Sequence, residues 1–143
     1  MKHLSKNATK IIRKIYDSMN DPKYFQTRGS YARIDNSDGN YMPVSVEKLF
    51  HIPTFDDHFV ISHAYELNGD LMRDPEMEFA VKDGEFFPIT FRQDDCGILQ
   101  EVLIYRDSDG KPIRYNPRLQ KDLVEFAEMW MQNINIQQKL EAI

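Results

Sequence analysis

His51, Asp56, Asp57, His58, His63, Asp94, Asp95 and Cys96 are side chains of the types that bind zinc. Imidazole, carboxylate and thiolate are the ligands this metal favours. Their spacing argues against a ready-made site. No pair of His or Cys has the two-to-four-residue interval of a knuckle, and His58 and His63, an odd number of residues apart, would point to opposite faces of one strand. A zinc site would have to assemble from two loops, with His51 or His58 meeting the corner at Asp94-Asp95-Cys96. Otherwise His63 sits half-buried on its strand, Cys96 is a small apolar filler, and the aspartates form turns. No metal is expected to be required. Zinc held by His51, Asp57, His58, Asp95 and Cys96 is the alternative.

Other chemistry has weaker footing. Asp74 with Glu76 could act as an acid–base pair, and Cys96 with His58 or His63 as a nucleophile and base, but nothing in the spacing brings either pair into a cleft. The chain has no Gly-x-Gly-x-x-Gly, Walker, Gly-x-Ser-x-Gly or His-Glu-x-x-His pattern. It is expected to bind a partner and not to be an enzyme.

The charge distribution suggests how. The net charge of −5 hides a balance of +4 over residues 1–46, −10 over residues 47–109 and +1 over residues 110–143. The acids of the middle segment that a strand region would expose are Asp70, Asp74, Glu76, Glu78, Asp83 and Glu85. Such a surface either is simply solvated or meets a basic partner, such as a protein that holds nucleic acid. Direct nucleic-acid binding would need a basic patch with exposed aromatics. Only the first helix and Lys23–Arg28 offer one, against the overall charge.

The elements that must position these groups can be read from periodicity. Ser5 caps a helix over about residues 6–19, with Leu4, Ala8, Ile11, Ile12, Ile15 and Met19 on one stripe and Lys6, Lys10, Arg13 and Lys14 opposite. This helix is expected to cover a sheet. Residues 23–30 read as a loop. Tyr31–Ile34 and Tyr41–Val46 flank turn formers and read as a hairpin, and residues 47–50 as a short helical turn. Residues 59–67 alternate as a half-buried strand with Phe59, Ile61 and His63 on one face. Asn68-Gly69-Asp70 and Asp74-Pro75 are expected turns. Residues 76–81 and 86–92 are strands joined at Asp83-Gly84, and residues 98–105 a further strand closed by Asp107-Ser108-Asp109-Gly110. Asn116 and Pro117 start a last helix, running to about residue 138, with Leu119, Leu123, Phe126, Trp130 and Ile134 inward. The sum is one α+β domain spanning 1–143: a curved antiparallel sheet of five to six strands with both terminal helices on one face.

A chain of 143 residues with 41% hydrophobic content can bury its own core, and its single cysteine excludes an internal disulfide. The N-terminus lacks the apolar stretch of a signal peptide, and no run approaches the length of a membrane span. The expected location is the cytoplasm, with no membrane partner.

Three stretches carry a resemblance: Met1–Ile11, Tyr65–Phe79 with its Asn-Gly-Asp-Leu and Asp-Pro-Glu-Met-Glu-Phe, and Tyr115–Trp130. They resemble a family of uncharacterised proteins carried by plasmids, conjugative elements and phages of Gram-positive bacteria. The family has no catalytic signature to carry over. The resemblance implies an accessory protein of a mobile element, acting in the cytoplasm of a bacterial host cell. Such small acidic proteins are often inhibitors of host defence, which points to an anti-CRISPR acting on a Cas9-type nuclease or another basic nucleic-acid-binding protein. A conjugation or replication accessory domain is the alternative, and a metal-dependent enzyme the next.

Overall fold

The computed structural model describes residues 1–105 and 109–142. Helix α1 (Lys6–Asp17) begins where the Ser5 side chain accepts the Ala8 N–H, and a 3-10 turn (Ser18–Asn20) follows it. Helix α2 (Pro117–Gln137) begins at Asn116, whose side chain accepts the Leu119 N–H. Each cap occupies an amide that the first helical turn would leave unpaired.

Between the helices run strands β1 (Phe25–Thr27), β2 (Tyr31–Ile34), β3 (Val44–Lys48), β4 (Asp57–Leu67), β5 (Asp70–Lys82), β6 (Glu85–Gln93) and β7 (Ile98–Glu101). They form one antiparallel seven-stranded sheet in chain order, each strand pairing with the next. A separate two-stranded ribbon joins β8 (Leu103–Tyr105) to β9 (Pro112–Tyr115). The fold is α+β, with more strands than the sequence predicts.

Phe59, Ile61, Met77 and Phe79 form directly opposed pairs and are fully buried. The Tyr16 ring of α1 meets Phe59 edge-on at 5.0 Å, Phe126 of α2 meets Phe91 at 4.9 Å, and Trp130 meets His63 at 5.5 Å. Both helices therefore pack on the same, inner, face of the sheet, and one continuous core results. The helices also meet each other's ends, since the Lys2 and Ser5 amides donate to Gln120 and Glu128.

Four local expectations give way. Glu47 and Lys48 belong to β3, because the ladder that pairs Ser45–Lys48 with Phe59–Ser62 outweighs a single helical turn. The stretch read as a loop contains β1. Asp74-Pro75 is no turn: it lies inside β5, where an irregularity between Ser62 and Ala64 absorbs the residue that cannot donate to the ladder. Residues 98–105 divide at Val102, which is fully buried and whose N–H donates to the Ile89 carbonyl, so β8 leaves the large sheet. The expected turns at Asn68-Gly69 and Asp83-Gly84 form, both residues of each pair with positive φ, as two-residue hairpin loops require. Of the turn expected at Asp107-Ser108-Asp109-Gly110, Asp107 and Ser108 lie outside the described residues.

Candidate functional site

Directly opposed residues on antiparallel strands share a face, so the sheet register shows what the uncovered outer face carries. One row across β3 to β7 reads Glu47, Val60, Glu78, Thr90, Glu101, and the next reads Ser45, Ser62, Glu76, Arg92, Leu99. Four glutamates thus lie on the face that neither helix covers. Two depressions mark it. One, of about 270 Å³, is lined by Tyr31, Ser45, Glu47, Ser62, Arg73 and Glu76. The other, of about 410 Å³, is lined by Phe50, Glu78, Thr90, Glu101, Leu103 and Tyr105.

His58 is buried against two residues that line the second depression, Phe50 and Glu78. Its Nδ1 lies 2.8 Å from the Phe50 carbonyl and must donate to it, while Nε2 lies 2.6 Å from Glu78 Oε1. Thr90 Oγ1 accepts the Glu78 amide and donates to Glu78 Oε2. Burial, with Glu78 and Glu101 near, pushes the Tyr105 phenol up and keeps it a neutral donor at the rim.

A second cluster stands at the far end of this face. The Arg73 amide donates to Asp94 Oδ2 at 2.9 Å, and Arg92 Nε donates to Asp94 Oδ1 at 2.8 Å. These bonds hold the Asp94 carboxyl below its ordinary range, the Arg73 amide contributing most. Burial pushes Glu76 up in spite of Arg73 and Arg92 beside it. Gln93 Nε2 donates to Asp74 Oδ1 at 2.8 Å.

The six acids expected to form one exposed partner surface are distributed otherwise. Asp70 and Asp83 are exposed, at opposite ends of a thirteen-residue strand, about 40 Å apart at ~3.3 Å per residue. Asp74, Glu76 and Glu78 are half-buried with the partners named above, and Glu85 faces His3 at 3.3 Å. Glu76 and Glu78 alone of the six enter the glutamate rows. Glu47 and Glu101 were missed, and the signal that could have found them is strand register, which no single segment contains.

The zinc candidates are not brought together. His51 is exposed, and His58 is occupied by Phe50 and Glu78. Asp57 points to the inner face, where Lys48 Nζ donates to it at 2.6 Å and the Tyr16 hydroxyl also donates. Asp95 and Cys96 sit on an exposed turn at the end of β6. That turn is about seven residues, or ~23 Å, along β6 from the position opposite Ala80 and His58. Among the described residues no group of three His, Cys, Asp or Glu is placed to hold a metal.

Among the described residues no helix is long and apolar enough to cross a membrane. No curated protein and no solved structure matches the chain. A family model described as a domain of unknown function, DUF6908, matches residues 10–140, most of the length over which the sheet and both helices form. The chain therefore belongs to that family.

Proposed function

We propose that this chain is a non-catalytic binding protein whose outer sheet face receives the basic surface of a partner. The observation that supports this most directly is the pair of rows placing Glu47, Glu76, Glu78 and Glu101 on the uncovered face. Phe50 and Tyr105 rise beside two of these carboxylates, so a lysine or arginine entering there would meet aromatic edges and acids together.

The partner we favour is a nucleic-acid-binding enzyme of the host, a Cas9-type nuclease first, inhibited by stoichiometric occupation of its basic channel in the manner of an anti-CRISPR protein. Inhibition of target cleavage by the purified nuclease–guide complex tests this reading. Wild-type protein should inhibit, and its affinity should fall with salt, because exposed charges are screened beyond about 8 Å at physiological ionic strength. Glu47→Lys with Glu101→Lys should abolish inhibition without lowering the melting temperature, both residues being exposed. If the double variant inhibits as well as wild type, the glutamate face is only solvated. If wild type binds no such nuclease at any salt, an accessory role in conjugation or replication takes its place.

A further inference from the structure

A large concavity lies on the opposite side, along the solvent face of α1. It is a trough of about 1060 Å³, walled by the β5–β6 turn at Gly84, the residues after α2, and the segment following the 3-10 turn. Its lining carries six permanent cations: Lys6, Lys10, Arg13, Lys14, Lys23 and Lys139. Four carboxylates also line it. Glu85 faces His3, Asp21 accepts the Lys23 amide at 2.9 Å, and Asp17 and Glu141 complete the set. Cations prevail in a protein whose net charge is −5.

Lys6, Lys10 and Lys14 recur every four residues on the side of α1 opposite its apolar stripe, about 6 Å apart along the axis. Like charges at that spacing oppose the helix, and so does a lysine in a first turn that holds no acid. Among the described residues none of the six is in an ion pair. Arg13 is fixed by donating to the Gly84 carbonyl at 2.9 Å and by lying 5.2 Å over the Phe86 ring. Lys14 donates to the Leu140 carbonyl at 2.5 Å. Both are positioned by neutral groups, with no carboxylate in contact with either charge among the described residues.

We propose that this trough binds the phosphodiester backbone of a single-stranded nucleic acid. Regularly spaced cations on the floor of a concavity suit a chain of regularly spaced anions, and raised walls on both sides admit a strand more readily than a duplex. Tyr24 stands half-buried in the wall, its hydroxyl accepting from the Asn36 side chain at 2.8 Å and the Lys23 ammonium 5.2 Å over its ring; a phosphate that draws Lys23 away would open that ring to a base. This site is independent of the outer sheet face.

The test is fluorescence anisotropy with a short labelled oligothymidylate, and with the same strand annealed to its complement, from about 50 to about 200 mM salt. The single strand should bind, with affinity falling steeply as salt rises. Lys6→Gln, Lys10→Gln and Lys23→Gln together should weaken binding by about tenfold or more and reduce the log–log salt slope by about 2, near 0.7 per lost phosphate contact. The melting temperature should change little, because these three ammonium groups make no hydrogen bond among the described residues and Lys23 has only an exposed contact 5.2 Å over the Tyr24 ring. Glu47→Lys with Glu101→Lys should leave this affinity within about twofold, so failure of the trough and failure of the glutamate face are read separately. No binding at the lowest salt, a triple variant that binds like wild type, or tighter binding of the duplex than of the strand would each overturn the proposal.

Discussion

Both faces of the seven-stranded sheet carry ionisable side chains, and they treat them differently. On the inner face, under the helices, such groups come in closed sets. Tyr16, Lys48 and Asp57 bond to one another, with Lys48 Nζ 2.9 Å from the Tyr16 oxygen. Buried His63 has Nδ1 3.1 Å from the Pro43 carbonyl and its ring against Trp130. On the outer face the sets are open: Glu78 and Glu76 have partners, whereas Glu47 and Glu101 on the same rows are exposed. A polar group sealed from water is costly unless it finds partners within the fold, as the Trp130 indole N–H does not, while one left on an open face can take them from another molecule. The difference separates side chains that maintain the structure from those free to act.

Substitutions can break this contrast, and the largest effect belongs to the inner face. Trp130→Ala should cost about 3–5 kcal/mol in urea denaturation, since the side chain is 4% exposed and fills the contact between α2 and His63. A loss below about 1 kcal/mol would mean that α2 does not seal this face. Next comes Asp57→Asn, which leaves Lys48 and Tyr16 without their anion. Lys48 is partly exposed, so we expect about 1–2 kcal/mol and not the full cost of a buried charge.

Acid should then separate His63 and Asp57 of the inner face from Glu76 of the outer face by sign. Burial holds the His63 imidazole below its ordinary 6.5, against the pull of the Pro43 carbonyl and Asp74. The unfolded chain therefore takes up this proton first, and stability should decline as pH falls below 6.5. Asp57 is pushed up by burial but held below 3.8 by the bonds from Lys48, Tyr16 and the His58 amide, which prevail. Its contribution is intact above 3.8 and is lost as pH falls through the lower folded value. Urea midpoints across pH check both, and His63→Phe should flatten the first decline. Glu76, raised by burial, has the opposite sign, being disfavoured when ionised. Glu76→Gln should leave neutral-pH stability unchanged or higher, by no more than about 0.5 kcal/mol. Smallest of all, Glu47→Lys and Glu101→Lys should each move stability by less than about 0.5 kcal/mol. A larger loss would place these side chains in a closed set after all.

How much of this is legible in the sequence depends on the range of the interaction. The caps at Ser5 and Asn116, the stripe of α1 and the turns at Asn68-Gly69 and Asp83-Gly84 rest on neighbours a few residues away, and each forms where the residues indicate. The glutamate rows rest on the register of five strands, so Glu47 and Glu101 carry no local sign of membership. Glu76 and Glu78 read as exposed because alternation alone assigns them outward, and Asp74 because Asp74-Pro75 reads as a turn. Arg73, Gln93 and His58, which partly bury and bond them, arrive from elsewhere in the sequence or around a bulge. The charge count marks the acidic segment but carries no sign that four of the six acids expected to form a partner surface, Asp74, Glu76, Glu78 and Glu85, are engaged within the fold.

The order of the sheet has a kinetic consequence. Every strand of β1–β7 pairs with its successor, so the whole sheet can assemble by extending one hairpin at a time, with only short loops to close. The ends of the chain are different: Lys2 reaches Gln120 across 118 positions, and Ser5 reaches Glu128 across 123. Ordering the intervening chain first is what brings those ends together. Substitutions in the β4–β5 hairpin should therefore slow refolding, while Gln120→Ala should chiefly hasten unfolding, the signature of a contact made after the rate-limiting step.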